Sequence, residues 1–300
     1  MSKCLPNFLI VGAAKSGTSS LHNFLRKHHD VFMPNYFHNV KVKEPRFFVK
    51  NSIEGRINNY VDNFEDYKKL FSKSCGKSAV GEASVFYLYF FEEAIRNIKK
   101  YLGNDIKIII LLRNPIERAL SAYNHVSRTK LENLSFEEAI SIEEHRFKNN
   151  KNITPMINYK NMGLYYKMVK AYIESFKDVK IILFEDFINN TNKSVNDCFD
   201  FLKIKNMKIL KEEKVNVGGR KWSNNFYKTI YNEKKHYLTF LKKVLPLNIR
   251  TKLNEWFYNE FTLENKRMKK QTKEYLINFF KEDIKSLSLL INKDLNHWLK

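Results

Sequence analysis

The hydrophobic pattern of the chain is dominated by short apolar runs, each followed by a stretch with helical spacing. Three of these runs, at residues 8–11, 107–112 and 179–184, are nearly continuous, as in parallel strands that are buried on both faces. Each run ends in a polar turn that leads into a predicted helix. This alternation predicts an α/β fold on a central parallel sheet, with ligands bound beyond the carboxyl ends of the strands.

Further helices are predicted between and after these units. Their apolar residues recur at helical spacing over residues 95–102, 136–144, 163–176 and 271–298. The longest apolar run, 108–112, is far shorter than the roughly 20 residues that a membrane-spanning helix needs. Since the amino terminus also lacks the pattern of a signal peptide, we expect a soluble, cytoplasmic protein. The sequence shows no domain boundary, so a single domain over residues 1–300 is expected.

The charge of the chain is strongly positive. It has 53 Lys and Arg against 32 Asp and Glu, and residues 201–300 hold 23 of the basic and 10 of the acidic side chains. The formal net charge of +21 favours anionic partners such as nucleic acid, acidic lipid, nucleotides or acidic glycans, although a lysine-rich solvated surface has the same composition. The three cysteines show neither metal-ligand nor disulfide-framework spacing, so a reducing compartment is expected.

The sharpest chemical signal is the glycine-bearing turn GAAKSGTS at residues 12–19. Its small residues let backbone N–H groups approach an anion, and the following helix directs free N–H groups and its positive dipole end to the same place. Lys15 adds a positive charge, and Thr18 and Ser19 add hydroxyl donors. The turn is not a Walker A loop, because that motif has its lysine directly after the second glycine. An ordinary N-capped helix is the alternative interpretation.

Two blocks of sequence resemble the nucleotide-binding segments of sulfotransferases that use 3′-phosphoadenosine 5′-phosphosulfate (PAPS). AAKSGTSSL, at 13–21, resembles the 5′-phosphosulfate loop of that family, and LLRNPIERALSAYNHV, at 111–126, resembles its 3′-phosphate segment. Further similar blocks are KEPRFF (43–48), GEASVFYLY (81–89), LSFEEAI (134–140), FEDF (184–187) and GGRKWS (218–223). In order and spacing the set is most similar to the glycan-sulfating branch, which includes heparan-sulfate-type enzymes and bacterial relatives.

The resemblance implies a fold and a set of nucleotide contacts. The fold would be a P-loop-like three-layer α/β structure, a central parallel sheet flanked by helices, with a PAPS-binding core at about 8–223 and a basic helical C-terminal portion at about 224–300. Arg113 and Ser121 would hold the 3′-phosphate, although an ion pair of Arg113 with Glu117 is an alternative. The other implied contacts are Lys15, Ser16, Gly17, Thr18 and Ser19 at the 5′-phosphosulfate, and Arg220 and Lys221 in a basic loop over the nucleotide.

The same resemblance implies in-line transfer of the sulfuryl group from PAPS to a hydroxyl or amine without a metal ion. Glu44 is the candidate base that deprotonates the acceptor, and the neighbouring Lys43 would keep its carboxylate ionised. Lys15 would stabilise charge on the leaving phosphate oxygen. His125, four residues after Ser121, is the rival base. An exposed loop glutamate and a structural helix histidine are the corresponding simpler interpretations.

The acceptor is predicted only as a class. A basic surface suits a glycan, a glycolipid or another small acceptor, and aromatic residues among the lysines of 222–261 would allow peripheral contact with a membrane. The segments 143–161 and 226–270, which are expected to contact the acceptor, match the family poorly, so the identity of the acceptor stays open. The oligomeric state also stays open. Three alternatives stay open: a P-loop kinase or NTPase, a basic nucleic-acid-binding protein, and a relative that binds the nucleotide without catalysis. The sequence contains no known nucleic-acid-binding module.

Overall fold

The computed structural model describes residues 5–34, 36–37, 40–41, 43–129, 131–208, 221–222, 262–263 and 268–300. The strands in these residues are β1 (Phe8–Gly12), β2 (Val31–Phe32), β3 (Tyr36–Phe37), β4 (Val40–Lys41), β5 (Ala79–Ala83), β6 (Lys107–Leu112), β7 (Val179–Leu183), β8 (Lys221–Trp222) and β9 (Thr262–Leu263).

The helices of the described residues lie between and after these strands. They are α1 (Thr18–Leu25), α2 (Lys50–Ile53), α3 (Phe64–Lys69), α4 (Phe86–Tyr89), α5 (Phe91–Leu102), α6 (Pro115–Arg128), α7 (Phe136–Ser141), α8 (Glu143–Asn149), α9 (Tyr165–Ser175), α10 (Phe184–Asn189), α11 (Thr191–Phe201) and α12 (Lys270–Ile291). Short 3₁₀ helices cover Phe47–Val49, Pro155–Ile157, Asn161–Gly163 and Asn296–Leu299.

Five parallel strands form the central sheet, in the order β2-β5-β1-β6-β7. Every residue of β1 is buried, and β6 pairs with β7 from Ile108 opposite Val179 to Leu112 opposite Leu183. The pairs β3-β4 and β8-β9 form two separate antiparallel ladders. The predicted α/β class with a central parallel sheet is therefore confirmed.

Helices cover both faces of this sheet. Side chains alternate along β1, so that Phe8 and Ile10 enter one apolar cluster and Leu9 and Val11 enter another. The first cluster is closed by α1 and α11, and the second by α5, α6, α9 and α12. Because the sheet lies between two helical layers, the three-layer arrangement implied by the resemblance is confirmed.

The sequence pattern predicts three of the five sheet strands and misses β2 and β5. Strand β2 has only two residues, and β5 contains Gly81 and Glu82, so neither strand has a continuous apolar run. Gly81 is required at its position, because a Cβ there would lie 2.4 Å from the ring of Phe8 on β1. The helix predicted over 136–144 is interrupted at Ile142, which separates α7 from α8.

The C-terminal helix α12 belongs to the same core as the sheet. Its buried face consists of Thr272, Leu276, Phe280, Ile284 and Leu287. The Asp283 carboxylate accepts the N–H groups of Tyr165 at 2.8 Å and Tyr166 at 3.2 Å, and so caps the start of α9. The predicted amphipathic C-terminal helix is confirmed, while the single-domain organisation and its division near residue 223 stay predictions. Neither the 22-residue α12 nor any other described helix is apolar enough over its length to cross a membrane.

The cysteines differ from the expectation. Cys198 is a buried free thiol, whereas Cys75 takes part in a disulfide bond. The lack of framework spacing therefore does not exclude a disulfide, and the cysteines do not argue for a reducing compartment. The cytoplasmic location stays a prediction.

Candidate active site

The loop between β1 and α1 is bent by two residues with left-handed backbone conformations. Lys15 has a φ of 70°, and Gly17, the N-cap of α1, has a φ of 89°. A Cβ at Gly17 would lie 3.0 Å from the ring of Phe184, so backbone conformation and space both exclude a side chain there. The Ala13 N–H donates to the Leu111 carbonyl at 2.6 Å, which joins the loop to the end of β6.

The bent loop leaves hydrogen-bond donors available at the start of α1. Within the described chain, the backbone N–H groups of Gly17, Thr18 and Ser19 donate to no protein acceptor, since the first N–H groups of a helix have no partner inside it. These donors and the positive end of the helix dipole favour an anion. The loop therefore fits the sulfated phosphate that the sequence predicts here.

Cations gather around this loop. Burial, together with three neighbouring positive charges, lowers the pKa of Lys15 to about 8, and one carboxylate opposes the shift. The cations are Arg128, Arg113 and Lys43, and the carboxylate is Glu44. Burial and the neighbouring cations both disfavour the protonated ammonium, and a bound polyanion would offset both effects. The electrostatics of the loop thus agree with phosphate or sulfate binding.

Arg113 lies where β6 ends, beside the loop. Its Nη1 donates to the Lys15 carbonyl at 3.4 Å, and its guanidinium carbon is 4.8 Å from the centroid of the Phe184 ring. The ion pair with Glu117 that the sequence left as an alternative is present at 2.9 Å, but the Glu117 side chain is 61% exposed and exposed pairs contribute only about 0–1 kcal/mol. The buried Nε has no partner among the described residues and is available for a ligand.

Helix α6 carries the other residues predicted at the 3′-phosphate. Asn114 caps it by accepting the Ile116 N–H at 2.9 Å, and Ser121 is half-buried at the end of its second turn. Helix α6 also contacts β8, which begins at Lys221. The backbone of the predicted basic loop therefore reaches the helix that bears Ser121. Arg220 and the side chain of Lys221 lie outside the described residues.

Glu44 is joined to the anion loop by Lys43. The Lys43 ammonium donates to the Ser19 hydroxyl at 2.8 Å and to Oε1 of Glu44 at 3.3 Å. Arg46 donates to Oε2 of Glu44 from Nη2 at 3.0 Å and from Nε at 3.3 Å. Burial opposes ionisation of Glu44, but the charges of Lys43 and Arg46 outweigh it and hold the pKa of Glu44 below its ordinary value. Since its side chain is only 17% exposed, the alternative of an exposed loop glutamate is wrong.

His125 belongs to the same electrostatic cluster. Partial shielding from solvent, followed by the charges of Lys15 and Arg128, lowers the pKa of His125 to about 4, while Glu44 opposes the shift. The imidazole is therefore neutral near pH 7 and lies within electrostatic reach of Lys15 and Glu44. The residue is exposed on α6, and an electrostatic interaction, not a direct contact, relates it to Glu44.

The described residues contain one group close enough to share a metal ion, formed by His28, His29 and Asp30. Nε2 of His28 lies 2.9 Å from the Lys205 carbonyl, and its Nδ1 accepts the Asp30 N–H at 3.0 Å. Because both ring nitrogens of His28 have protein partners, this group is poorly suited to a metal ion. It also lies beyond the far end of α1 from the anion loop.

A model of the sulfotransferase domain matches residues 5–280, which include the sheet and both turns of the site. The chain belongs to the sulfotransferase family. A crystal structure of a sulfotransferase from Alicyclobacillus acidocaldarius is 31% identical to this sulfotransferase, with a TM-score of 0.71 over 98% of this chain and 99% of the other. Family membership removes the support for the kinase and nucleic-acid-binding alternatives.

Two further relatives are longer than this sulfotransferase. The membrane-associated sulfotransferase kil1 of Dictyostelium discoideum is 27% identical over an alignment of 339 positions, which covers 97% of this chain and 66% of the relative. Heparan sulfate glucosamine 3-O-sulfotransferase 3B1 of Homo sapiens is 26% identical over 209 residues, which cover 68% of this chain and 47% of the relative. The chain thus spans about two thirds of the first relative and about half of the second.

Three residues that contact or influence the predicted site residues have no role assigned from the sequence, namely Arg46, Arg128 and Phe184. Arg46 follows Glu44 by two positions, so the KEPRFF block already showed a cation on each side of the glutamate. Arg128 lies just past the 3′-phosphate block, one turn beyond His125. Phe184, which contacts both Gly17 and Arg113, is the first residue of the FEDF block and of α10, but that block alone assigns it no role.

Proposed function

We propose that this sulfotransferase transfers a sulfuryl group from PAPS to a hydroxyl or amine of a glycan, a glycolipid or another small acceptor, with Glu44 as the base. The observation that carries the proposal is the Lys43 ammonium, which joins the Ser19 hydroxyl of the anion loop to the Glu44 carboxylate. The proposed base therefore lies one side chain away from the loop proposed to hold the sulfated phosphate.

PAPS supplies the activated sulfuryl group, and the chain supplies its contacts. The free N–H groups of residues 17–19 and the Lys15 ammonium support binding of the 5′-phosphosulfate. The buried, unpartnered Nε of Arg113 supports a contact with the 3′-phosphate, for which a guanidinium is well suited. Contacts from Ser121, Arg220 and Lys221 are proposed from the resemblance.

Sulfuryl transfer requires two oxygens in line and neutralisation of charge on the moving group. Lys15 would stabilise the charge that develops on the leaving phosphate oxygen. A bound anion raises the pKa of Lys15 again, so the ammonium stays protonated when the donor is present. We propose that these cations make the transfer independent of a metal ion.

Glu44 would take the proton of the acceptor. Its lowered pKa keeps the carboxylate ionised but also weakens it as a base. Lys43 faces both Ser19 and Glu44, so negative charge at the loop competes for this ammonium and raises the pKa of Glu44 when the donor binds. His125 is the second candidate base, because it is neutral near pH 7 and close to Lys15 and Glu44.

The proposed acceptor class is supported by the charge around the site and by the names of relatives. The cations around Lys15 favour an anionic acceptor, and one relative is by name a heparan sulfate enzyme. Peripheral membrane contact through 222–261 is a proposal that rests on sequence alone, since nearly all of that segment lies outside the described residues.

The test separates donor binding from transfer. Transfer from PAPS is measured with glycan, glycolipid and small phenolic acceptors in the presence of EDTA, and binding of the product nucleotide 3′-phosphoadenosine 5′-phosphate (PAP) is measured by calorimetry. Glu44→Gln is expected to lower kcat by about 10²–10⁴-fold while PAP affinity stays within a few-fold. Glu282→Gln is the control, because its side chain is 80% exposed.

Three outcomes would contradict parts of this proposal. Wild-type turnover in Glu44→Gln with a large loss in His125→Gln assigns the base to His125. Transfer that EDTA abolishes contradicts metal independence. No transfer to any acceptor and no PAP binding by the wild type contradict the proposed function itself.

A further inference from the structure

Glu82 is a carboxyl group that the proposed transfer does not use. It is fully buried on β5, in the carboxyl-terminal half of a central strand. Its Oε1 accepts the Tyr87 hydroxyl at 2.7 Å and the Tyr67 hydroxyl at 3.4 Å, and its Oε2 accepts the Ser84 hydroxyl at 2.8 Å. No cation of the described residues pairs with it. A buried carboxyl group without a cation costs stability, so its place near the site needs an explanation.

Ser84 connects this carboxyl group to the loop that bears Glu44. Its hydroxyl donates its proton to Glu82, and its oxygen accepts the backbone N–H of Arg46 at 3.0 Å. A hydroxyl group has one proton and two lone pairs. An acceptor at Glu82 therefore determines the direction of the Ser84 proton and leaves a lone pair directed at Arg46.

Arg46 needs such a contact to hold its conformation. Its φ of 56° and ψ of 14° are left-handed, which is uncommon for a residue other than glycine. Besides Ser84, the Asn59 carbonyl accepts from Nη1 of Arg46 at 2.8 Å, and the Arg46 carbonyl accepts the Val49 N–H at 3.2 Å. From this conformation the Nε and Nη2 groups of Arg46 reach Oε2 of Glu44.

We propose that Glu82 is a positioning residue, which acts through Ser84 and Arg46 to fix the orientation of the Glu44 carboxylate. The catalytic meaning of that orientation rests on the proposed function, whereas the structural coupling does not. Burial raises the pKa of Glu82 to about 7, and the negative charge of Glu44 adds to the shift, so the two carboxyl groups are close enough to affect each other.

The decisive variant is Glu82→Met, which keeps similar length and removes the acceptor. The measurement is an NMR titration of the Glu44 carboxyl carbon, assigned by its absence in Glu44→Gln. Because the pKa of Glu82 is about 7, the residue is a neutral carboxyl group where Glu44 titrates, and Glu82→Met changes no charge there. The carbonyl oxygen of the neutral acid remains the acceptor for the Ser84 hydroxyl, and the variant removes it. We expect the pKa of Glu44 to rise by about one pH unit, since Arg46 is held less firmly while the burial of Glu44 remains.

Three further variants make the result specific. Glu82→Gln keeps an acceptor group and is expected to restore the wild-type titration of Glu44. Tyr67→Phe removes another hydroxyl from the same carboxyl group without touching Ser84, and should leave Glu44 unchanged. Ser84→Ala removes the hydroxyl that links Glu82 to Arg46, so it should raise the pKa of Glu44 as Glu82→Met does. This variant also tests the proposal if Glu82→Met does not fold.

An unchanged Glu44 titration in folded Glu82→Met or Ser84→Ala would overturn the proposal. So would an equal rise in Tyr67→Phe. This titration requires neither PAPS nor an acceptor, so it decides the positioning role even if the chain transfers no sulfuryl group. With an active acceptor, Ser84→Ala should also lower kcat about tenfold or more, as misplaced catalytic groups do, with the KM for PAPS unchanged.

Discussion

The two sides of the candidate active site are held in place by different means. The donor side, residues 12–19 with Arg113, lies at the carboxyl ends of β1 and β6, and a backbone hydrogen bond of 2.6 Å joins the two ends. The base side, residues 43–46, lies outside the central sheet and is held by hydrogen bonds to the side chains of Ser84 and Ser19. The donor side therefore depends on backbone conformation, whereas the base side depends on side-chain hydrogen bonds together with a backbone bond from the Val61 N–H to the Pro45 carbonyl at 2.9 Å.

This difference separates the effects that substitutions should have. A change on the donor side alters the backbone that binds the nucleotide, so it should appear as a loss of affinity. A change on the base side alters the orientation of one carboxylate, so it should appear as a loss of turnover at unchanged nucleotide affinity. Each of the following variants tests this division.

The largest effect is expected from Gly17→Ala on the donor side. Its φ of 89° adds about 1–2 kcal/mol of backbone strain to an alanine, and the new Cβ would displace the Phe184 ring that supports Arg113. We expect PAP to bind more than about 100-fold more weakly, which is close to 3 kcal/mol. Calorimetry measures the affinity, and a thermal melt confirms folding.

Gly76→Ala is the matched control for this variant. Gly76 has a φ of 82°, and no atom lies within 4 Å of the point that a Cβ would occupy, so an alanine there carries the backbone cost without the collision. Equal PAP affinity in the two variants would show that the donor loop does not depend on the close packing at Gly17.

The next largest effect is expected from Arg113→Ala. Hydrogen bonds to charged groups contribute about 1.5–3 kcal/mol, so PAP affinity should fall roughly 10- to 100-fold. Glu117→Gln removes the exposed partner of Arg113 and should leave PAP affinity unchanged or slightly higher. A loss in Glu117→Gln as large as that in Arg113→Ala would assign the effect to the ion pair.

The affinity for PAP is expected to change gradually with pH, which is a smaller effect on the donor side. The pKa of Lys15 is about 8 in the free protein, and a bound polyanion raises it, so the protonated ammonium binds PAP better. PAP affinity should hold from pH 7 to 8 and then fall by up to about tenfold per pH unit. Lys15→Arg stays charged and should flatten the profile. A flat profile in the wild type would contradict the role of Lys15.

The smallest effect is expected from Arg46→Lys on the base side. Lysine keeps the positive charge beside Glu44 but not the two N–H groups that reach one carboxylate oxygen. We expect kcat to fall several-fold with the KM for PAPS unchanged, and Arg96→Lys, on the surface of α5, serves as the control. A change in KM without a change in kcat would place Arg46 on the donor side.

The donor side is predictable from the sequence because it is encoded locally. The apolar run of β1, the glycine turn and the start of α1 follow one another within residues 8–25, and β6 with its turn repeats the pattern. Parallel strands place their carboxyl ends at one edge of a sheet, so the meeting of the two turns follows from the fold. The turn of Gly17 needs no distant residue to be recognised.

The base side is not predictable in this way. Glu44 is predicted only through the resemblance, and its partners are determined by tertiary contacts. Ser84 lies 38 residues beyond Arg46, just past the end of a strand that the apolar pattern misses. Glu82 interrupts that pattern with a carboxyl group, and its contact with Ser84 depends on the folded strand. Hydrogen-bond geometry over such separations has no signature in a single sequence.

The most direct test of the central claim is a calorimetric titration of the wild type with PAP in EDTA, compared with ATP in Mg²⁺. We predict that PAP binds without a metal ion and more tightly than ATP, and that Lys15→Ala and Arg113→Ala both weaken PAP binding strongly. Tighter, Mg²⁺-dependent binding of ATP, or no binding of PAP, would contradict the assignment of the loop at residues 12–19 as the site of the sulfated nucleotide.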